Sequence, residues 1–99
     1  MSEHAETTNV KEAEAQVTLK NKYGLHARPA TLIAQTAKPF ASEISLEKDG
    51  NRVDAKSIFG MLTLAAECGS VLLLRARGDD ADAAVAKLAA VIESFDVDD

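Results

Sequence analysis

The sequence predicts an α+β domain in which three helices cover one face of a four-stranded sheet. Three observations carry that prediction. Apolar residues alternate between a two-residue and a helical period in the order strand, helix, strand, strand, helix, strand, helix. Turn-forming residues fall between those segments, namely Gly24, Pro39, Asp49-Gly50 and Gly69. A single layer of helices on one sheet face is the natural way to bury all the resulting apolar stripes.

The elements follow in order. Residues 1–14 mix Glu, Thr, Ala and Asn without a sustained apolar period, and they read as a flexible acidic N-terminal arm ahead of a domain over residues 15–99. His4 lies in that arm with no second ligand at chelating spacing, so it is set aside as a metal site. In residues 16–20, Val17 and Leu19 alternate with polar neighbours and predict a strand. Gly24 permits a tight turn, and Ala30, Ile33, Ala34 and Ala37 then recur at helical spacing with Pro29 in the first turn. This first helix begins at His26 and stops at Pro39. Ile44 and Leu46 alternate with Glu43, Ser45 and Glu47 up to Asp49-Gly50, and a short strand follows over residues 52–54, which makes a hairpin. Ser57 can cap a second helix carrying Ile58, Phe59, Leu62 and Leu64 that ends before Gly69. Residues 71–77, rich in Val and Leu, predict the last strand. Residues 79–95 open with acids and place Ala81, Val85, Leu88, Val91, Ile92 and Phe95 on one helical face.

Composition narrows the function. The 99 residues suit one domain, and 46% are hydrophobic with only 4% aromatic and no Trp, so the core is built from Ala, Val, Leu and Ile. A net charge of -5 argues against a nucleic-acid surface, which needs clustered Lys and Arg. The single cysteine, Cys68, has no internal disulfide partner and reads as a small buried apolar residue. No leader-like opening and no apolar run of membrane-spanning length occur, so the expected location is the cytoplasm, with no direct membrane insertion.

The informative stretch is Gly24-Leu25-His26-Ala27-Arg28-Pro29-Ala30, which puts an imidazole at the mouth of a helix. The first helical turn has N–H groups without intrahelical acceptors, and with the helix dipole they favour an anion. Ala27 and Arg28 can each offer an N–H, whereas Pro29 cannot. A phosphoryl group on His26 would meet those donors and the Arg28 guanidinium through charge-assisted hydrogen bonds. In-line attack on phosphorus needs a neutral ring nitrogen, which histidine supplies near neutral pH. A histidine at a helix start also has the plainer role of a surface or capping residue.

The string from Gly24 to Ala30, together with Asp54-Ala55-Lys56-Ser57-Ile58-Phe59-Gly60, resembles the two signature regions of the HPr family, the histidine-containing phosphocarriers of the bacterial phosphotransferase system. The likeness runs over about residues 15–95. It implies an open-faced β-sandwich, a four-stranded antiparallel sheet with three helices on one face in the order βαββαβα. It further implies a phosphoryl carrier that is not itself an enzyme. In such a carrier His26 takes the phosphoryl group as pros-phosphohistidine from enzyme I, the phosphoenolpyruvate-protein phosphotransferase, and donates it to an EIIA domain. Arg28 matches the phosphate-stabilising arginine, and the Ala27 N–H faces the phosphate. No cofactor or metal is implied for the carrier, magnesium belonging to enzyme I, and a monomer is the expected state.

The same resemblance gives Ser57 a second role beside capping, as the site of regulatory phosphorylation by HPr kinase/phosphorylase. Ile58, Phe59 and Leu62 match a docking patch for partners, although relatives often carry methionine where this chain has Phe59 and Leu62. Alternatives are a regulator controlled only through Ser57, whose relatives tend to lose the histidine retained here, and a carrier of the nitrogen-related branch, NPr. An enzyme using His26 or Cys68 has no supporting second catalytic group, nucleotide loop or metal cluster in the sequence. Asp79, Asp80 and Asp82 read as solvated complements of a helix dipole, and Asp96, Asp98 and Asp99 as a charged ending.

Overall fold

The structure is a computed structural model that describes residues 10–99. Its elements are β1 (Glu12–Thr18), α1 (Ala27–Ala37), β2 (Glu43–Lys48), β3 (Asn51–Asp54), α2 (Ile58–Leu62), β4 (Val71–Arg77) and α3 (Ala81–Glu93). The strands form one antiparallel sheet in the order β1-β4-β2-β3. The element order and the open-faced sandwich expected from the sequence are those observed.

Register explains why one face is covered. Val17 pairs with Leu72, Ala15 with Leu74, Leu46 with Leu74 and Val53, and Ile44 with Ala76, so the inward positions are apolar up to the Lys48–Asn51 pair at the hairpin turn. These meet Ile33 of α1, Met61 of α2, and Leu88 and Ile92 of α3, all fully buried, in one continuous core. The opposite face carries charge. Arg75 reaches Glu14 at 3.2 Å and Glu47 at 3.5 Å, and Arg77 reaches Glu12 at 3.5 Å, which keeps that face solvated and the register polar-out.

Several boundaries differ from the sequence reading: β1 ends at Thr18 and α3 spans Ala81–Glu93, against residues 16–20 and 79–95, and two further shifts have a clear cause. β1 begins at Glu12, so residues 12–14 belong to the sheet and not to the arm; Ala13 and Ala15 point inward as part of the period-two pattern, but their short side chains give a weak apolar signal. The rest of the proposed arm, with His4, lies outside the described residues except for residues 10 and 11. α2 stops at Leu62, because the Thr63 hydroxyl bonds back to the Gly60 carbonyl at 2.6 Å and Ala65 adopts a positive φ of 49°. Gly69 consequently does not end the helix; its N–H donates to the Leu19 carbonyl at 2.7 Å and leads the chain into β4.

The hairpin is as expected. Asp49 and Gly50 both have positive φ, 52° and 84°, the conformation a two-residue type I′ turn requires between Lys48 and Asn51. At the start of α3 the acids are not all solvated complements of the dipole. Asp80 accepts from the N–H groups of Ala41 at 2.9 Å and Ser42 at 3.0 Å and from the Ser42 hydroxyl, which ties the entry of β2 to α3. Those bonds, the Ser42 hydroxyl first and the Ala41 N–H next, hold the Asp80 carboxyl below its ordinary pKa.

Candidate functional site

The turn ahead of His26 decides where the imidazole goes. Gly24 has a φ of 64°, and a Cβ there would lie 2.3 Å from the Ala66 main-chain oxygen, so the chain needs glycine for both conformation and space. That same oxygen accepts from the Leu25 N–H at 2.9 Å, and Leu25 is itself buried. Buried Asn21 donates from Nδ2 to the Gly24 carbonyl at 2.6 Å and closes the loop from below. His26 enters with extended backbone as the N-cap of α1, and its carbonyl accepts from the Ala30 N–H at 3.0 Å.

His26 provides no side-chain cap, and the first turn of α1 holds no acidic residue. The helix start is therefore open, with the exposed N–H groups of Ala27 and Arg28 ahead of buried Pro29. The imidazole is half-buried. The Tyr23 ring stands edge-on to it with centroids 6.0 Å apart, and the Lys22 ammonium lies 5.3 Å from the centre of the Tyr23 ring. Sequence reasoning missed Tyr23 and Lys22; their place directly before Gly24 was the available signal.

Sequence reasoning also missed Asp99, read there only as part of a charged ending. Residues 96–99 fold back onto this loop. The Val97 carbonyl accepts from the Lys22 N–H at 2.7 Å, and the Asp99 main-chain oxygen accepts from the Tyr23 N–H at 3.2 Å. That Asp99 oxygen lies 2.7 Å from His26 Nε2. An oxygen of this kind only accepts, so Nε2 is assigned as a protonated nitrogen, and in the neutral form of the ring Nδ1 is then the bare one. The Asp99 carboxylate meets the Arg28 guanidinium at 3.0 Å. Asp99 thus joins His26 and Arg28 in one cluster, a link across 71 or more positions that no local motif announces.

The second predicted site sits at α2. Ser57 caps that helix, its hydroxyl accepting from the Gly60 N–H at 3.0 Å. Of the three apolar residues after it, Phe59 is 84% exposed and Ile58 is exposed, whereas Leu62 is half-buried; Met61 fills the core place on this helix. α2 packs against α1, which brings the two helix starts into one layer. Cys68 is exposed, not buried as the sequence suggested, because it falls in the turn between α2 and β4. Among the described residues no group of three or more His, Cys, Asp or Glu is placed to hold a metal ion, and no helix is long and apolar enough to cross a membrane. A groove of about 890 Å³ lies over the charged sheet face, among Glu14, Arg52, Arg75 and Arg77; His26 is not part of it, and Arg75 and Arg77 in its wall pair with Glu14 and Glu12.

A histidine at an uncapped helix start, beside an arginine on an open-faced sandwich, makes a place suited to an anion. Comparisons with known proteins give the family. Residues 13–94 match the family model described as the PTS HPr component phosphorylation site. The HPr-like protein Crh of Halalkalibacterium halodurans is 50% identical over 81% of this chain and 95% of its own length. The phosphocarrier protein HPr of Borreliella burgdorferi is 42% identical over 81% and 93%. Among solved structures, HPr of Thermoanaerobacter tengcongensis superposes with a TM-score of 0.80 at 49% identity, covering 83% of this chain and 92% of that one. Bacillus subtilis Crh, described as a swapped dimer, superposes with a TM-score of 0.70 at 45% identity over 81% and 92%. The chain belongs to the HPr family, the phosphocarriers of the phosphotransferase system.

Proposed function

We propose that His26 is the residue on which this phosphocarrier carries its phosphoryl group. The observation that carries the reading is the uncapped start of α1, where a half-buried imidazole stands beside two free helix N–H groups and Arg28. The lone pair of Nδ1 forms the nitrogen–phosphorus bond as the bond from phosphorus to the donor breaks, and the donor keeps that electron pair. The group becomes pros-phosphohistidine, with the Ala27 N–H and the Arg28 guanidinium facing its oxygens. Enzyme I is the donor and an EIIA domain the acceptor, and exposed Phe59 and Ile58, with the half-buried Leu62, supply apolar contact for their transient docking. The carrier works in the cytoplasm as a monomer, since exchange with two partners in turn requires an open site.

A second reading concerns Ser57, favoured by the likeness to Crh and by a hydroxyl placed at a helix start. Phosphorylation there by an HPr kinase/phosphorylase would add a dianion beside the docking residues and regulate partner choice without touching His26. Assignment to the sugar branch or to the nitrogen-related branch follows from which EIIA takes the group. The test is incubation with phosphoenolpyruvate, magnesium and enzyme I, followed by intact mass before and after acid. A gain of one phosphate that acid removes supports the phosphohistidine; an acid-stable phosphate, or none with a competent enzyme I, contradicts it.

A further inference from the structure

Beneath the loop that presents His26 lies a buried amide whose oxygen is unused. Asn21 is 0% exposed, yet its Oδ1 has no hydrogen-bond partner among the described residues, an unfavourable place for a polar atom. Its nitrogen is engaged. Nδ2 donates to the Gly24 carbonyl at 2.6 Å, and it must be the nitrogen that faces there, because two oxygens that only accept would repel at that distance. The Asn21 main-chain oxygen accepts from the Gly24 N–H at 3.1 Å, so one residue grips Gly24 on both sides.

The peptide that joins Gly24 to Leu25 is what this grip fixes. Its carbonyl takes both Asn21 Nδ2 and the His26 N–H, the latter at 3.0 Å, and its N–H, that of Leu25, donates to the Ala66 carbonyl at 2.9 Å. A planar peptide held at both ends does not rotate freely, and the backbone of His26 follows directly from it. The bond to Gly24 also takes the His26 N–H out of the helix start, which leaves those of Ala27 and Arg28 for an anion. Stability of the fold does not by itself call for the Asn21 amide. Without it the Gly24 carbonyl would keep the His26 N–H, and an apolar side chain of similar shape would carry no unpaired oxygen. We propose that Asn21 is a positioning residue for phosphoryl transfer: its side-chain amide fixes the Gly24–Leu25 peptide and so aims the His26 imidazole at the incoming phosphorus. Fully buried, Asn21 touches no partner, so it acts on the rate of the step and not on docking. The inference rests on the reading that His26 carries the phosphate.

Enzyme I already phosphorylated from phosphoenolpyruvate and magnesium is mixed with the full chain in rapid-quench experiments over a range of carrier concentrations, for the wild type, Asn21→Leu and Asn21→Ala, with thermal melting measured alongside. Asn21→Leu nearly keeps the shape and removes both polar atoms. The expected result is a fall of about fivefold or more in the limiting rate, the consequence of a displaced reacting group, with the half-saturating concentration unchanged. Its melting temperature should stay at or above that of the wild type. Asn21→Ala should slow the step likewise but melt lower, because it leaves a cavity. A wild-type limiting rate in Asn21→Leu overturns the proposal. So does a change confined to the half-saturating concentration, which would place the effect in docking, or a loss of rate only where melting falls, which would make Asn21 a purely structural residue. Failure of both variants to fold overturns it on the same ground. A wild type that accepts no phosphoryl group overturns the reading of His26 and this inference with it, an outcome distinct from a labelled wild type with an inert Asn21.

Discussion

The starts of α1 and α2 meet the same requirement, unsatisfied N–H groups in a first helical turn, in opposite ways. At α2 the chain satisfies itself: the Ser57 hydroxyl takes the Gly60 N–H, and the helix lasts only five residues. At α1 the residue in the capping place is His26, which caps nothing, and an eleven-residue helix keeps its N-terminal donors available. The difference teaches what each position can do with an anion. A phosphoryl group at His26 meets waiting donors and an arginine, whereas one at Ser57 replaces a cap that already works. The first suits repeated loading and unloading, the second a slower switch.

Substitutions can break or sharpen this contrast. His26→Ala should abolish phosphoryl acceptance from enzyme I while the thermal midpoint stays within a few degrees of wild type, since the side chain provides no helix cap; persistent acid-labile labelling of that variant would end the distinction between the two starts. Gly24→Ala should destabilise the protein by about 2–3 kcal/mol in denaturant titration, from a strained φ together with a clash at Ala66, and should lower acceptance because the turn that aims His26 shifts. Arg28→Ala should slow acceptance about tenfold or more in rapid-quench measurements, the loss of a charge-assisted hydrogen bond, with stability nearly unchanged. Ser57→Ala should do the reverse, costing about 1 kcal/mol of stability for the lost cap and leaving His26 labelling intact.

The smallest effect belongs to the scaffold beneath both sites. Because hydrogen bonds from Ser42 and Ala41 lower the Asp80 carboxyl in the folded chain, the stability they contribute is complete above its ordinary value of 3.8 and fades as pH falls through the lowered one. Asp80→Asn should therefore lower the melting temperature at neutral pH and narrow the gap from wild type in strong acid. A gap that does not change with pH would assign the effect to packing.

Most of the fold was legible because its signals are local. Ala30, Ile33, Ala34 and Ala37 mark the buried stripe of α1 by spacing alone, and Asp49-Gly50 marks a turn whose φ values few other pairs adopt. The early start of β1 was harder to read because its first inward residues are alanines, whose small apolar surface carries little period-two signal. At the site, His26, Arg28 and Ser57 could be read because each stands at a helix start. Asp99 could not. Its meaning comes from a fold-back that spans the whole domain, and in sequence it is one more acid in an acidic stretch. Asp80 escaped for the same reason, its partners Ala41 and Ser42 being 38 or more positions away.

The most direct test of the account is to ask which helix start carries the group. Protein labelled by enzyme I and phosphoenolpyruvate, digested at alkaline pH so that phosphohistidine survives, can be mapped by mass spectrometry and its phosphorus resonance recorded. The account predicts phosphate on the peptide holding His26, with a shift diagnostic of attachment at Nδ1, and none on the peptide holding Ser57. Phosphate on Ser57 or any other residue, or on Nε2 of His26, would contradict it.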